Sequence, residues 1–110
     1  MNEAVSAKEK KLLASLGLCV RAGKVIFGVP MICEAMRRGG AGTPVTVFEA
    51  SDTSENTKKR ISDKCNYYGV RHVTLCVSGT ALAAALGKSA SLGAVAVTDR
   101  RMSDMVEQYL

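Results

Sequence analysis

The chain has 110 residues, 47% of them hydrophobic and 23% charged, and 15 basic against 10 acidic side chains give a net charge of +5. This is the size and balance of one ordinary globular domain, which excludes extended disorder and any need for disulfide or metal staples. No apolar run is long enough to span a membrane, and Lys8, Glu9, Lys10 and Lys11 interrupt any secretory leader, so a cytoplasmic location is expected.

Residues 7–21 have the pattern of an amphipathic helix, with Leu12, Leu13, Leu16, Cys19 and Val20 at helical spacing and Gly23 ending it; residues 1–6 are expected to form a flexible tail. Lys24 to Gly28 is a short strand. Pro30 suits the first turn of a second helix. Met31, Ile32, Ala35 and Met36 form its buried stripe, with Met31 and Met36 expected as packing rather than a binding surface, exposure of Met31 at the helix start being the alternative, and Arg37, Arg38, Gly39 and Gly40 close it. A turn to Pro44 leads into the strand Val45–Phe48. Ser51 to Ser54 is a polar loop in which Ser54 or Asp52 caps a third helix that runs to Tyr68 and stops at Gly69. Ile61, Cys65 and Tyr68 mark its inner face, and Tyr67 is expected as partly exposed packing rather than a platform for bases. Val73–Val77 is a third strand, Thr80–Leu86 an Ala-rich helix ended by Gly87, Ala94–Val97 a fourth strand and Arg101–Tyr109 a last helix. Five helices alternating with four short strands imply an α/β sandwich, with helices on both faces of a mainly parallel or mixed sheet.

The positive excess belongs to residues 1–71, with 12 basic and 7 acidic side chains, whereas residues 72–110 hold three of each. Such a bias fits a polyanionic partner, and equally a charge that keeps the chain soluble. Enzyme motifs fail. Gly17 to Val25 imitates a phosphate loop, but it has the wrong glycine spacing, no Ser or Thr for magnesium, and a helix-to-strand order that is reversed. No dinucleotide fingerprint or serine elbow is present, and His72 is the lone histidine. Cys19, Cys33, Cys65 and Cys76 are scattered without metal spacing, so four reduced thiols, mostly buried, are expected, with no metal and no cofactor.

Three blocks carry a resemblance: Arg21-Ala22-Gly23-Lys24; Asp52 to Lys59 followed by Asp63-Lys64-Cys65-Asn66-Tyr67-Tyr68-Gly69-Val70; and Gly93 to Asp99. Together they resemble the bacterial YlxQ type of the kink-turn-binding ribosomal protein superfamily, over roughly residues 8–106. The resemblance implies a three-layer α-β-α sandwich around a four-stranded mixed sheet and a non-enzymatic RNA-binding domain of the translation apparatus. It implies RNA contact by three segments: the start of the second helix, the loop after the second strand and an apolar loop before the last strand. Gly28 matches the family glycine, with Val29 beside it, and Arg38-Gly39 match the helix end. Pro30, Met31 and Glu34 stand where the family has Asn, Glu and Lys, which removes groups that read purine edges.

What remains at that end is electrostatic. Lys24, Arg37 and Arg38 are expected to flank it, Lys58, Lys59 and Arg60 to begin the third helix on the same edge, and Lys88-Ser89-Ala90 to lie in the loop before the last strand. For any one of these cations a solvated surface role is the alternative. The expected partner is structured RNA, ribosomal or otherwise kink-turn-like, bound by shape and phosphate contacts by a monomer that contacts no membrane, with the ribosome or a ribonucleoprotein as a further expected partner. The rival is a protein-interaction module that kept the fold and lost RNA recognition. It is motivated by the mixed apolar and acidic character of Pro30, Met31 and Glu34.

Overall fold

The computed structural model describes residues 6–110. Element order is α1 (Ala7–Arg21), β1 (Val25–Phe27), α2 (Val29–Arg38), β2 (Thr46–Glu49), α3 (Glu55–Tyr68), β3 (Arg71–Thr74), α4 (Gly79–Ala85), β4 (Ala94–Val97) and α5 (Arg100–Glu107). The sheet order is β1-β4-β2-β3, with β4 antiparallel to both neighbours and β2 parallel to β3. The sheet is therefore mixed. Of the expected tail, residues 1–5 lie outside the described residues. Ser6 does not belong to a tail: it caps α1 in a reciprocal box with Glu9, at 3.1 and 2.9 Å.

Side-chain alternation along the strands divides the core between two layers. Phe48, Val95 and Val97 face α1, α4 and α5, together with Leu16, Leu82 and Val106. Val47, Ala94 and Ala96 face α2 and α3, together with Ile32, Met36, Ile61 and Cys65. The two alanines of β4 leave room for α2 to lie close to the sheet. The helices thus cover both faces, giving the three-layer sandwich. No helix among the described residues is long and apolar enough to cross a membrane.

One strand departs from its sequence reading. β3 occupies Arg71–Thr74 rather than 73–77. Its ladder follows the four residues of β2, and Leu75 N–H then bonds Glu49 C=O at 2.7 Å as the chain leaves the sheet. Leu75 and Val77 remain buried while Cys76 points outward. The apolar run 73–77 therefore reports burial, and only Val73 and Thr74 of it belong to the strand ladder. Cys76 is exposed and Cys33 half-buried, so only Cys19 and Cys65 meet the expectation of buried thiols.

Candidate nucleic-acid interface

β1, β2 and β3 all run toward one edge of the sandwich, and β4 starts from it. Three segments meet there around Gly93. A Cβ built on Gly93 would lie 3.4 Å from Thr53 Cγ2, in the β2–α3 loop, and 3.6 Å from Val29 Cγ2, at the start of α2. Backbone bonds fix the junction: Gly28 N–H donates to Ala94 C=O at 3.0 Å and Ala50 N–H to Gly93 C=O at 2.8 Å. Gly28 holds φ +86° and ψ 147°, a conformation only glycine adopts without strain, and so turns β1 directly into α2.

The N-terminus of α2 has no side-chain cap. Pro30 has no N–H to offer, so Val29 and Met31 supply the first-turn amides that point along the helix dipole. Met31 is 59% exposed beside them, so it does not pack with Ile32, Ala35 and Met36 as its spacing predicts: it sits in the first turn, where the stripe runs out over the helix end. The loop before β4 is tied at both ends, by Lys88 N–H to Ala83 C=O at 2.8 Å and Leu92 N–H to Gly79 C=O at 3.1 Å. Ser89 and Ala90 are exposed between those ties, and Lys88 Nζ sits 4.2 Å from the centroid of the Phe27 ring. Asp52 accepts from Gly79 N–H at 2.9 Å, which joins the β2–α3 loop to the start of α4.

A buried polar group that the sequence reading missed supports this edge. Glu49, at the end of β2, is 1% exposed. Its carboxylate accepts from the Thr53 hydroxyl and from His72 Nε2 at 2.7 Å, and Lys58 Nζ lies 3.5 Å away. Burial, the largest single influence, pushes the Glu49 carboxyl upward. The hydrogen bonds from Thr53 and His72 and the charges of Lys58 and His72 together outweigh it and leave the pKa lowered. The available signal was a carboxylate inside the otherwise uncharged run Val45–Ala50, with the only histidine on the neighbouring strand.

The structure separates cations that the sequence reading grouped. Lys24 precedes β1 at the opposite edge, where its C=O accepts from Thr98 N–H at 2.9 Å. Arg37 and Arg38 occupy the last turn of α2, about 13 Å along the helix from Gly28. These three residues do not flank the start of α2, because a strand or a whole helix lies between. Gly28, Val29, Lys58, Lys88, Ser89 and Ala90 do gather at or near the Gly93 junction. Lys59 is one residue further along α3 and pairs with Asp63 at 2.8 Å. Lys58 also reaches Ser51 C=O at 3.4 Å, so it braces the loop as well as carrying charge. Among the described residues no cluster of three or more His, Cys, Asp or Glu could hold a metal ion.

Comparison with known proteins gives concordant matches. The model of the ribosomal protein L7Ae/L30e/S12e/Gadd45 family matches residues 10–107. RNA-binding protein YlxQ of Bacillus subtilis (strain 168) is 39% identical over 95 residues, spanning 86% of this chain and 90% of that protein. RNA-binding protein YlxQ of Enterococcus faecium is 41% identical over 70 residues, 64% of this chain and 62% of that one. Among solved structures, a Bacillus halodurans protein of unknown function superposes with a TM-score of 0.79 at 28% identity, over 92% of this chain and 97% of that one. The Giardia lamblia 15.5 kD RNA-binding protein has a TM-score of 0.69 at 18% identity, over 99% and 87%, which shows a shared fold.

Proposed function

The chain belongs to the ribosomal protein L7Ae/L30e/S12e/Gadd45 family, and on that premise we propose that, as a non-enzymatic RNA-binding protein, it grips structured RNA at the Gly93 junction. The observation that carries this reading is the convergence of the α2 N-terminus, the β2–α3 loop and the loop before β4 on one glycine. A phosphate set against the uncapped first turn of α2 would meet the Val29 and Met31 amides and the positive end of the helix dipole. Lys88 and Lys58 add positive charge nearby. Met31 offers an exposed apolar surface to an unstacked base, replacing groups that would read purine edges.

The reading extends to a sharply bent, kink-turn-like stem with G·A pairs, recognised more by backbone shape than by base edges. It also places the protein in the cytoplasm as a monomer that works on a ribosomal or ribonucleoprotein RNA. The test is a titration of the protein with a kink-turn RNA and with the same stem lacking its G·A pairs, each at two salt concentrations. Tighter binding to the intact motif is expected. Equal binding that collapses with salt would reduce the reading to a generic phosphate grip. No binding to either RNA would overturn it in favour of a protein-interaction module.

A further inference from the structure

The outer face of α3, away from the Gly93 junction, combines an exposed aromatic ring with cations that make no ion pair among the described residues. Tyr67 is 82% exposed, the most exposed of the large hydrophobic side chains described. Arg60, Lys64 and Tyr67 recur at i, i+4 and i+7 and so share one helix face. With Asp63 and Tyr68 they line a groove of about 560 Å³, within the range of small-ligand sites. Asp63 is turned to Lys59 at 2.8 Å, and among the described residues neither Arg60 nor Lys64 makes an ion pair.

The ring also has an aromatic neighbour. Tyr67 meets Tyr68 edge to face, with centroids 4.8 Å apart and planes at 83°. Tyr68 in turn packs into the core between α2 and α3. Ile32 and Met36 of α2 pack in that same layer. A solvent-facing ring with two cations in line on the N-terminal side of it, neither ion-paired among the described residues, has the chemistry of a base-stacking platform with phosphate contacts alongside.

We infer that the Arg60–Lys64–Tyr67 face binds an unpaired nucleotide of RNA, with the base stacked on Tyr67 and flanking phosphates on Arg60 and Lys64. This rests on the RNA-binding reading above and adds a second contact. Ser54 caps α3 at the Gly93 edge, and Tyr67 lies thirteen residues on, about 20 Å along the helix axis. An RNA that touches both therefore carries an unpaired segment beyond the stem gripped at the Gly93 edge.

The experiment compares a kink-turn stem with the same stem bearing a short single-stranded extension. With the parent protein the extension should tighten binding. In Tyr67→Ala that gain should vanish, a loss of about 5- to 100-fold on the extended RNA only, whereas Tyr67→Phe should keep it within about 2-fold. The chain has three tyrosines and no tryptophan, so quenching of tyrosine emission by the extended RNA reads the stacking directly. Arg60→Gln with Lys64→Gln should lower the slope of log affinity against log salt by about 1.4 on the extended RNA. If Tyr67→Ala and the parent bind the extended RNA equally, the inference is overturned while binding of the stem stands. If the parent binds neither RNA, both the inference and the reading beneath it are overturned.

Discussion

His72 Nε2 lies 2.7 Å from Glu49 Oε1, diagonally across the parallel β2–β3 pair, where the register sets His72 opposite Val47 and Glu49 opposite Thr74. A carboxylate buried this fully is tolerable only because imidazole, hydroxyl and ammonium groups surround it. Its lowered pKa fixes the sign of its effect on stability. Near the ordinary carboxylate value, 4.5, the unfolded chain binds more protons at Glu49 than the folded one. The stabilisation is fully present above that value and is lost as pH falls through the lower folded value. Glu49→Gln should cost about 1–3 kcal/mol at neutral pH and flatten the loss of stability in acid. Urea midpoints across a pH series check both parts, and an unchanged acid slope would refute the assignment.

Gly79 tests how tightly the loop before β4 is seated. A Cβ there would clash with Ser91 Oγ and lie 2.7 Å from Leu92 O, which is backbone and cannot swing away. Gly79→Ala should therefore destabilise by about 1–3 kcal/mol despite its better helix propensity, and should displace residues 88–92. A thermal melt reads the first effect. Weaker RNA binding at a temperature where the variant is folded reads the second.

Lys88 and Lys24 sit at opposite ends of β1 and separate the two edges experimentally. Lys88→Gln should reduce the salt slope for a kink-turn stem by about one, with a stability cost of about 1 kcal/mol or less from the lost contact with Phe27. Lys24→Gln should leave binding of that stem nearly unchanged. Equal losses in both variants would mean that the stem reaches the Lys24 edge.

The thiols should label in order of burial. Cys76 is exposed and should react with a disulfide reagent in the folded protein at the rate of a solvent-accessible thiol, followed by half-buried Cys33. Cys65 should stay protected until unfolding, because burial pushes its pKa up to about 11, reinforced by Cys33 and Glu49. Cys19 is buried with its pKa raised by burial and by Asp99, and should behave alike. Mass spectrometry of partly labelled protein gives the order.

By itself the sequence determined the elements, because their signals are local. Helical spacing of Leu12, Leu13 and Leu16, a cap at Ser54 or Asp52, the stop at Gly69 and the run Ala94–Val97 each act within a few residues, and each appears in the structure, with Ser54 as the cap. The similarity blocks carried the family as well, and the family model matches residues 10–107. Only the tertiary structure decided which end of each element a side chain occupies in space. Lys24 and Gly28 are four residues apart yet belong to opposite edges, because an extended strand advances about 3.3 Å per residue. Thr53, Val29 and Gly93 are far apart in sequence and meet only once β4 is inserted between β1 and β2. The partners of Glu49 were likewise invisible to local pattern, since two of its contacts are made by α3 and β3 after the sheet has formed. Burial at Tyr67 was misjudged for the same reason: helical periodicity gives its face, but whether another layer covers that face is a property of the packed sandwich.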